Sequence, residues 1–305
     1  MTTKPDIYPV DWLWRNEPPP LSGYARRLLA EGDSWFTIGT LNLRHASNLL
    51  YELEFKAGTA IVNCAYPGDT LQRVVDCVND PYFDRLLRVT NFASYWEAVV
   101  LSVGGNDLID AAQTPSILFG KPVAPEQRLL LTPAEAAAAG APSAAERHLS
   151  QAGWARLRSY LIANLAELAS RREQGPSAGR PIFLHTYAVP TARPSGTVGR
   201  PQGWLYPAFV AYGIDPALHQ PITALLFGRL RDLLRELDQG SGSALALPHV
   251  HVYDSASLAT IVPAAPGAPG LSNDWINEIH LTPGGYAKLG RAFGAFIDQV
   301  LSTYP

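Results

Sequence analysis

The stretch with chemistry in it is Ala30-Glu31-Gly32-Asp33-Ser34-Trp35-Phe36. An apolar run, Leu28-Leu29-Ala30, leads into it, and Gly32 and Asp33 break that run just before a serine. The pattern is that of a strand ending in a tight corner that presents one hydroxyl. A serine hydroxyl is a weak nucleophile until a base takes its proton. The rest of the chain must therefore supply a base, donors for a negatively charged oxygen and a walled pocket. Small polar residues such as Asp and Ser also favour ordinary turns, so Ser34 needs support from other segments.

The elements that would position it follow in order. Residues 25–34 read as a first strand, and Leu43, Ala46, Leu49, Leu50 and Leu53 recur at helical spacing after it. Thr59 to Cys64 is a short apolar strand ending at the turn signal Tyr66-Pro67-Gly68-Asp69. Thr70 can cap a helix with Leu71, Val74, Val75 and Val78 on its inner face. Ala98 to Val103 is apolar on both faces, as a central parallel strand should be, and it ends in Gly104-Gly105-Asn106-Asp107. Trp154, Leu157, Leu161, Leu165 and Leu168 make an amphipathic helix. Strands at 181–187 and 250–254, a helix carrying Leu225 to Leu234 and a last helix from about 283 to 302 complete the pattern.

Five strands alternating with helices predict an α/β fold with a mainly parallel five-stranded sheet. Uniform crossover handedness puts every strand's C-terminal end on one edge, which is where such sheets bind ligands. Ser34, Gly68, Asn106 and His185 fall at or just past strand ends, and His280 follows the fifth strand. Residues 1–24, rich in proline and tryptophan, read as an N-terminal arm over the surface of a single domain spanning 25–305. Insertions at about 111–150 and 190–216 are expected to cover the site, the second as a long functional loop.

Four segments together resemble the GDSL, or SGNH, hydrolase family. Gly32-Asp33-Ser34 looks like its nucleophile block, Gly68 its second-block glycine, Gly104-Gly105-Asn106-Asp107 its third block and His280 its fifth-block histidine. The resemblance covers residues 25–300 and implies a flavodoxin-like three-layer sandwich. It also implies a serine esterase or lipase with no cofactor, in which Ser34 attacks an ester carbonyl and His280 carries the proton. The implied oxyanion hole is the Ser34 N–H, the Gly68 N–H and the Asn106 side-chain amide. One position departs from the pattern: the family usually has Asp three residues before the histidine, and this chain has Asn277. The partner of His280 is thus open between Asn277 and Asp274, with Glu278, Asp254 or a backbone carbonyl as further choices.

His185, Trp204 and Tyr206 are candidate pocket residues, each equally explained by core packing. His249 and His251 share one strand face but lack further ligands, so no metal is expected. The net charge of −3 over 305 residues gives no reason to expect nucleic acid as a partner. No apolar run reaches the roughly 18 residues of a membrane span, and the N-terminus has no signal-like core, so a cytoplasmic protein is expected. Cys64 and Cys77 are the only cysteines, and whether they pair is open. The expected partner is a small-molecule or lipid ester. An acyltransferase, a carbohydrate deacetylase or a binding protein that has lost its chemistry are the competing readings.

Overall fold

A computed structural model describes residues 2–37, 47–78, 81–140 and 142–305. The sheet has six strands: β1 (Asp6–Pro9), β2 (Arg26–Gly32), β3 (Thr59–Asn63), β4 (Ala98–Ser102), β5 (Ile182–His185) and β6 (Val250–Tyr253). All pair parallel, in the order β1-β3-β2-β4-β5-β6. The five expected strands are present in the flavodoxin-like order. The sixth comes from the arm, where Asp6 to Pro9 pairs with Ala60 to Asn63 along the edge of the sheet. A proline-rich segment suits an edge, because one of its faces needs no ladder donors.

Sequence pattern accounts for the burial. Every residue of β4 is buried, as the unbroken apolar run requires of a strand covered on both faces. Right-handed crossovers send the chain from β2 outward to β3, then back past β2 to β4. The connections leaving β2 and β4 therefore diverge to opposite faces of the sheet. On one face pack the helices Gly105–Gln113, Gln151–Arg172 and Pro216–Leu237. Leu157, Leu161, Leu165 and Leu168 of the second of these are buried one turn apart. The last helix, Pro283–Leu301, packs on the other face against the turn Leu50–Glu52 of the β2–β3 connection and buries Tyr286, Leu289, Phe293 and Ile297. The long helices start at Ser150, Asp215 and Thr282, each accepting a bond from its own first turn, and Pro216 and Pro283 occupy first helical positions.

Several expectations need correction. Leu43 and Ala46 lie outside the described residues, and Leu49, Leu50 and Leu53 are buried around a short 3₁₀ turn, Leu50–Glu52. The helix after Thr70 runs only from Leu71 to Val74, and Val78 is exposed, because the chain turns at Val75 before a second turn of helix can form. Segment 190–216 is no open loop: it holds the helix Leu205–Ala211, and Thr191, Arg193 and Ser195 are buried. Within 111–150, the alanine-rich run Ala134 to Ala139, which reads as a surface helix, does form one, Pro133–Ala138, started by a reciprocal cap between Thr132 and Glu135. Cys64 and Cys77 are both free thiols. Among the described residues no helix is long and apolar enough to cross a membrane.

The ends of β2 and β4 approach very closely. A Cβ on Gly32 would stand 2.4 Å from the Ser102 carbonyl oxygen, so only glycine lets the two strands meet here. Gly32→Ala is expected to cost about 1–3 kcal/mol through overpacking, read as a lower midpoint in urea unfolding. An unchanged midpoint would mean that the strand ends can separate without loss.

Candidate active site

The first side chain past β2 is Asp33 and the next is Ser34, which opens the short helix Ser34–Thr37. Asp33 holds this corner. Its Oδ1 accepts from the Trp35 N–H at 2.9 Å and from Ser102 Oγ at 2.8 Å, and its Oδ2 accepts from Tyr187 Oη at 2.6 Å. Burial pushes the Asp33 carboxyl up to about 6, against the pull of these three donors. Trp35 packs under the turn, edge-on to Tyr187 at 5.2 Å and to Tyr286 at 5.5 Å. The corner therefore leaves Ser34 little freedom to move.

His280 meets it from the loop before the last helix. Ser34 Oγ and His280 Nε2 are 2.7 Å apart, and His280 Nδ1 is 3.0 Å from Asn277 Oδ1. That oxygen also accepts from the backbone N–H groups of Ile279 at 3.1 Å and His280 at 2.9 Å. Three donors converging on one atom fix the amide with its oxygen inward. Nδ1 then carries the ring proton, and the Nε2 lone pair faces the serine. Burial pushes the imidazole down to about 3, so the ring is a neutral base at ordinary pH.

Asp274 is engaged elsewhere. It accepts from Lys288 Nζ at 2.7 and 2.9 Å and from the Val262 N–H at 2.6 Å. Asp254 is bound by Arg231 at 2.6 Å. Glu278 accepts four backbone N–H groups, from Arg193, Trp204, Leu205 and Tyr206, and burial holds its carboxyl up at about 7. Of the residues considered as the histidine's partner, the structure brings Asn277 to the ring. The reason is local: a side chain three residues before a histidine in this tight loop folds back onto it, whereas Asp274 faces the last helix.

Arg193 secures the loop from behind. Its guanidinium donates to the carbonyls of Asn277 at 2.6 Å, Ala268 at 2.7 Å and Gly270. Sequence reading missed Arg193, since a lone charge in a Gly/Pro-rich stretch reads as solvated surface, and considered Glu278 only as a partner of His280, not as a clamp on the helix Leu205–Ala211. Their burial marks them only once the fold is known.

Gly68 sits in an exposed turn stitched down on both sides. The Tyr66 N–H donates to Gly32 O at 3.0 Å, and Asn106 Nδ2 donates to Asp69 O at 2.9 Å. Asp107 adds to this by accepting from the Leu71 N–H at 3.1 Å and from Tyr160 Oη at 2.6 Å. An asparagine amide has two protons, so Asn106 has one beyond the bond to Asp69 O, and it shares a pocket with Ser34. Both residues line one pocket with Trp35, Ile109, Tyr187, Ala188, Phe227 and Ile279. The Tyr187 ring lies where a Cβ on Gly105 would come within 2.9 Å, so Gly105 admits the wall of that pocket.

The three expected pocket residues are not in its wall. His185 is buried behind Trp35, bonded to Ser102 Oγ at 3.0 Å, with burial pushing it down to about 3. Trp204 stands edge-on to the His280 ring at 5.4 Å but lines a surface groove with Arg200 and Pro207. Tyr206 packs on His219 at 5.8 Å. The last two stand at the start of the helix Leu205–Ala211, whose first N–H groups Glu278 binds. Among the described residues no group of three His, Cys, Asp or Glu side chains could hold a metal ion. His249 and His251 both contact Tyr304 Oη, at 3.1 and 2.9 Å.

No family model matches the chain, and no curated protein does. Solved structures similar to it include an extracellular lipase from Streptomyces rimosus, at 12% identity and TM-score 0.45, over 92% of this chain and 100% of that one. A phospholipase A1 from Streptomyces albidoflavus shares 14% identity at TM-score 0.41, over 92% and 99%. An aryl esterase from M. smegmatis shares 11% identity at TM-score 0.43, over 90% and 99%. At such identities and TM-scores, the chemistry of this site has to be read from its own geometry.

Two titrations check that geometry. Asn277→Asp places a negative charge against Nδ1 and should raise the His280 pKa by about 1–3 units, measured by NMR of the ring nitrogens. No change would mean that residue 277 does not face the ring. The raised Asp33 carboxyl binds a proton on folding, so the stability it contributes is complete below its ordinary 3.8 and is lost as pH rises through about 6. Urea unfolding of Asp33→Asn across that range should show a flatter dependence than wild type, and equal slopes would remove Asp33 as the cause.

Proposed function

We propose that this chain is a serine hydrolase cleaving carboxylic esters through an acyl-enzyme on Ser34. The observation that carries the reading is the continuous chain Ser34 Oγ, His280 Nε2, His280 Nδ1 and Asn277 Oδ1, bonded at 2.7 and 3.0 Å where the strand order reverses. That position is where open parallel sheets hold their ligands. A nucleophile, a neutral base and an orienting acceptor in sequence are what acyl transfer needs.

In the first half-reaction His280 Nε2 takes the hydroxyl proton as Ser34 Oγ bonds to the ester carbonyl carbon. The carbonyl oxygen becomes negative and is met by the Ser34 N–H, the Gly68 N–H and the free proton of the Asn106 amide. The tetrahedral species collapses, and His280 returns its proton to the departing alcohol oxygen. In the second half-reaction water, deprotonated by the same nitrogen, releases the acid and restores Ser34. Asn277 keeps the ring in the useful tautomer throughout, but being neutral it does not stabilise the imidazolium by charge. That stabilisation comes from the oxyanion itself, close across the site.

Hydrolysis of p-nitrophenyl esters tests this. Ser34→Ala should abolish turnover, and Asn106→Ala should lower kcat about 10²–10³-fold, the effect of removing one oxyanion donor. Turnover that survives in Ser34→Ala would overturn the mechanism. Products formed with an added alcohol would show whether water or an alcohol is the preferred acceptor.

A further inference from the structure

We infer that the acyl half of the substrate is an acetyl group, or one close to it in size. The inference rests on the ester-hydrolase reading and concerns the pocket shared by Ser34 and Asn106. Its cavity volume is about 10 Å³, open on one side to solvent, which is room for about one water molecule. The hydrocarbon group nearest that size is a methyl. An acyl carbon bonded to Ser34 Oγ, with its oxygen toward Asn106, would direct its methyl into this space, and a longer chain taking the same direction would meet the pocket's inner wall.

The walls are core elements. Ile109, on the helix Gly105–Gln113, and Phe227, on the helix Pro216–Leu237, are each 4% exposed, and these two helices pack together. Tyr187 is pinned through its hydroxyl to Asp33 at 2.6 Å and through its ring to Trp35. Ala188 and Ile279 also line it and are buried. A longer acyl chain would have to displace side chains that the fold itself needs, and close-packed interiors resist such displacement. Ile109, Ala188, Pro190, Phe227 and Ile279 give this pocket an apolar wall, which fits a methyl.

The test is kcat/KM for p-nitrophenyl acetate, butyrate, hexanoate and octanoate, with Ser34→Ala as the blank. Acetate should be best, with hexanoate lower by roughly tenfold or more, the order expected when a filled core is overpacked. Ile109→Ala and the milder Phe227→Leu should move the optimum toward longer chains. Two variants on separate helices keep the test valid if one fails to fold. Ser34-dependent hydrolysis that is flat with chain length, or best on octanoate, would overturn this inference and leave the hydrolase reading intact. No Ser34-dependent hydrolysis of any ester would overturn both.

Discussion

One hydrogen bond, from Ser34 Oγ to His280 Nε2, joins residues 246 apart in sequence, and the surrounding structure serves to hold its two ends in register. The serine end is fixed by the sheet. β2 and β4 touch at Gly32 and Ser102, and Asp33 gathers Trp35, Ser102 and Tyr187 around the corner. The histidine end is fixed by a loop with no sheet behind it. There Asn277 folds back on the ring, Arg193 ties three loop carbonyls together, and Glu278 binds the start of the helix Leu205–Ala211.

The electrostatics follow from burial more than from partners. His280 and His185 both lie far below the ordinary histidine value for the same cause, desolvation, and each meets a hydroxyl through Nε2, but the partner of His280, Ser34, lines a pocket, whereas the partner of His185, Ser102, is fully buried. A carboxylate at 277 would pull the imidazole upward and stabilise its charged form. An amide gives orientation without that pull. The imidazole is therefore a weaker base and neutral over a wider range of pH, and in the proposed mechanism the proton it would take from Ser34 would be balanced by the oxyanion formed in the same step. Removing water from so small a pocket strengthens that pairing.

Much of this was legible in the residues. The alternation of apolar strands and helices was enough for the parallel sheet, because strands covered on both faces, such as Ala98–Ser102, have no other composition open to them. Ser34, Asn106 and His280 stood out by type and by their place at strand ends. The edge strand Asp6–Pro9 did not, since four residues with a proline carry no periodicity; its pairing with Ala60 to Asn63 is a tertiary event. The choice between Asn277 and Asp274 was likewise open in sequence, because position three before His280 favoured Asn277, charge favoured Asp274, and only the loop's path separates them. Tyr187, Phe227 and Ile109 were invisible as pocket residues, since an aromatic or aliphatic side chain reads the same in a core as in the wall of a cavity.

The most direct measurement is rapid-quench peptide mass spectrometry of the protein mixed with p-nitrophenyl acetate. The account predicts one acetyl group on the peptide containing Ser34, appearing before steady state and lost on further incubation as water attacks. Acetyl release with no modified Ser34 at any time, or an adduct on another residue, would contradict it.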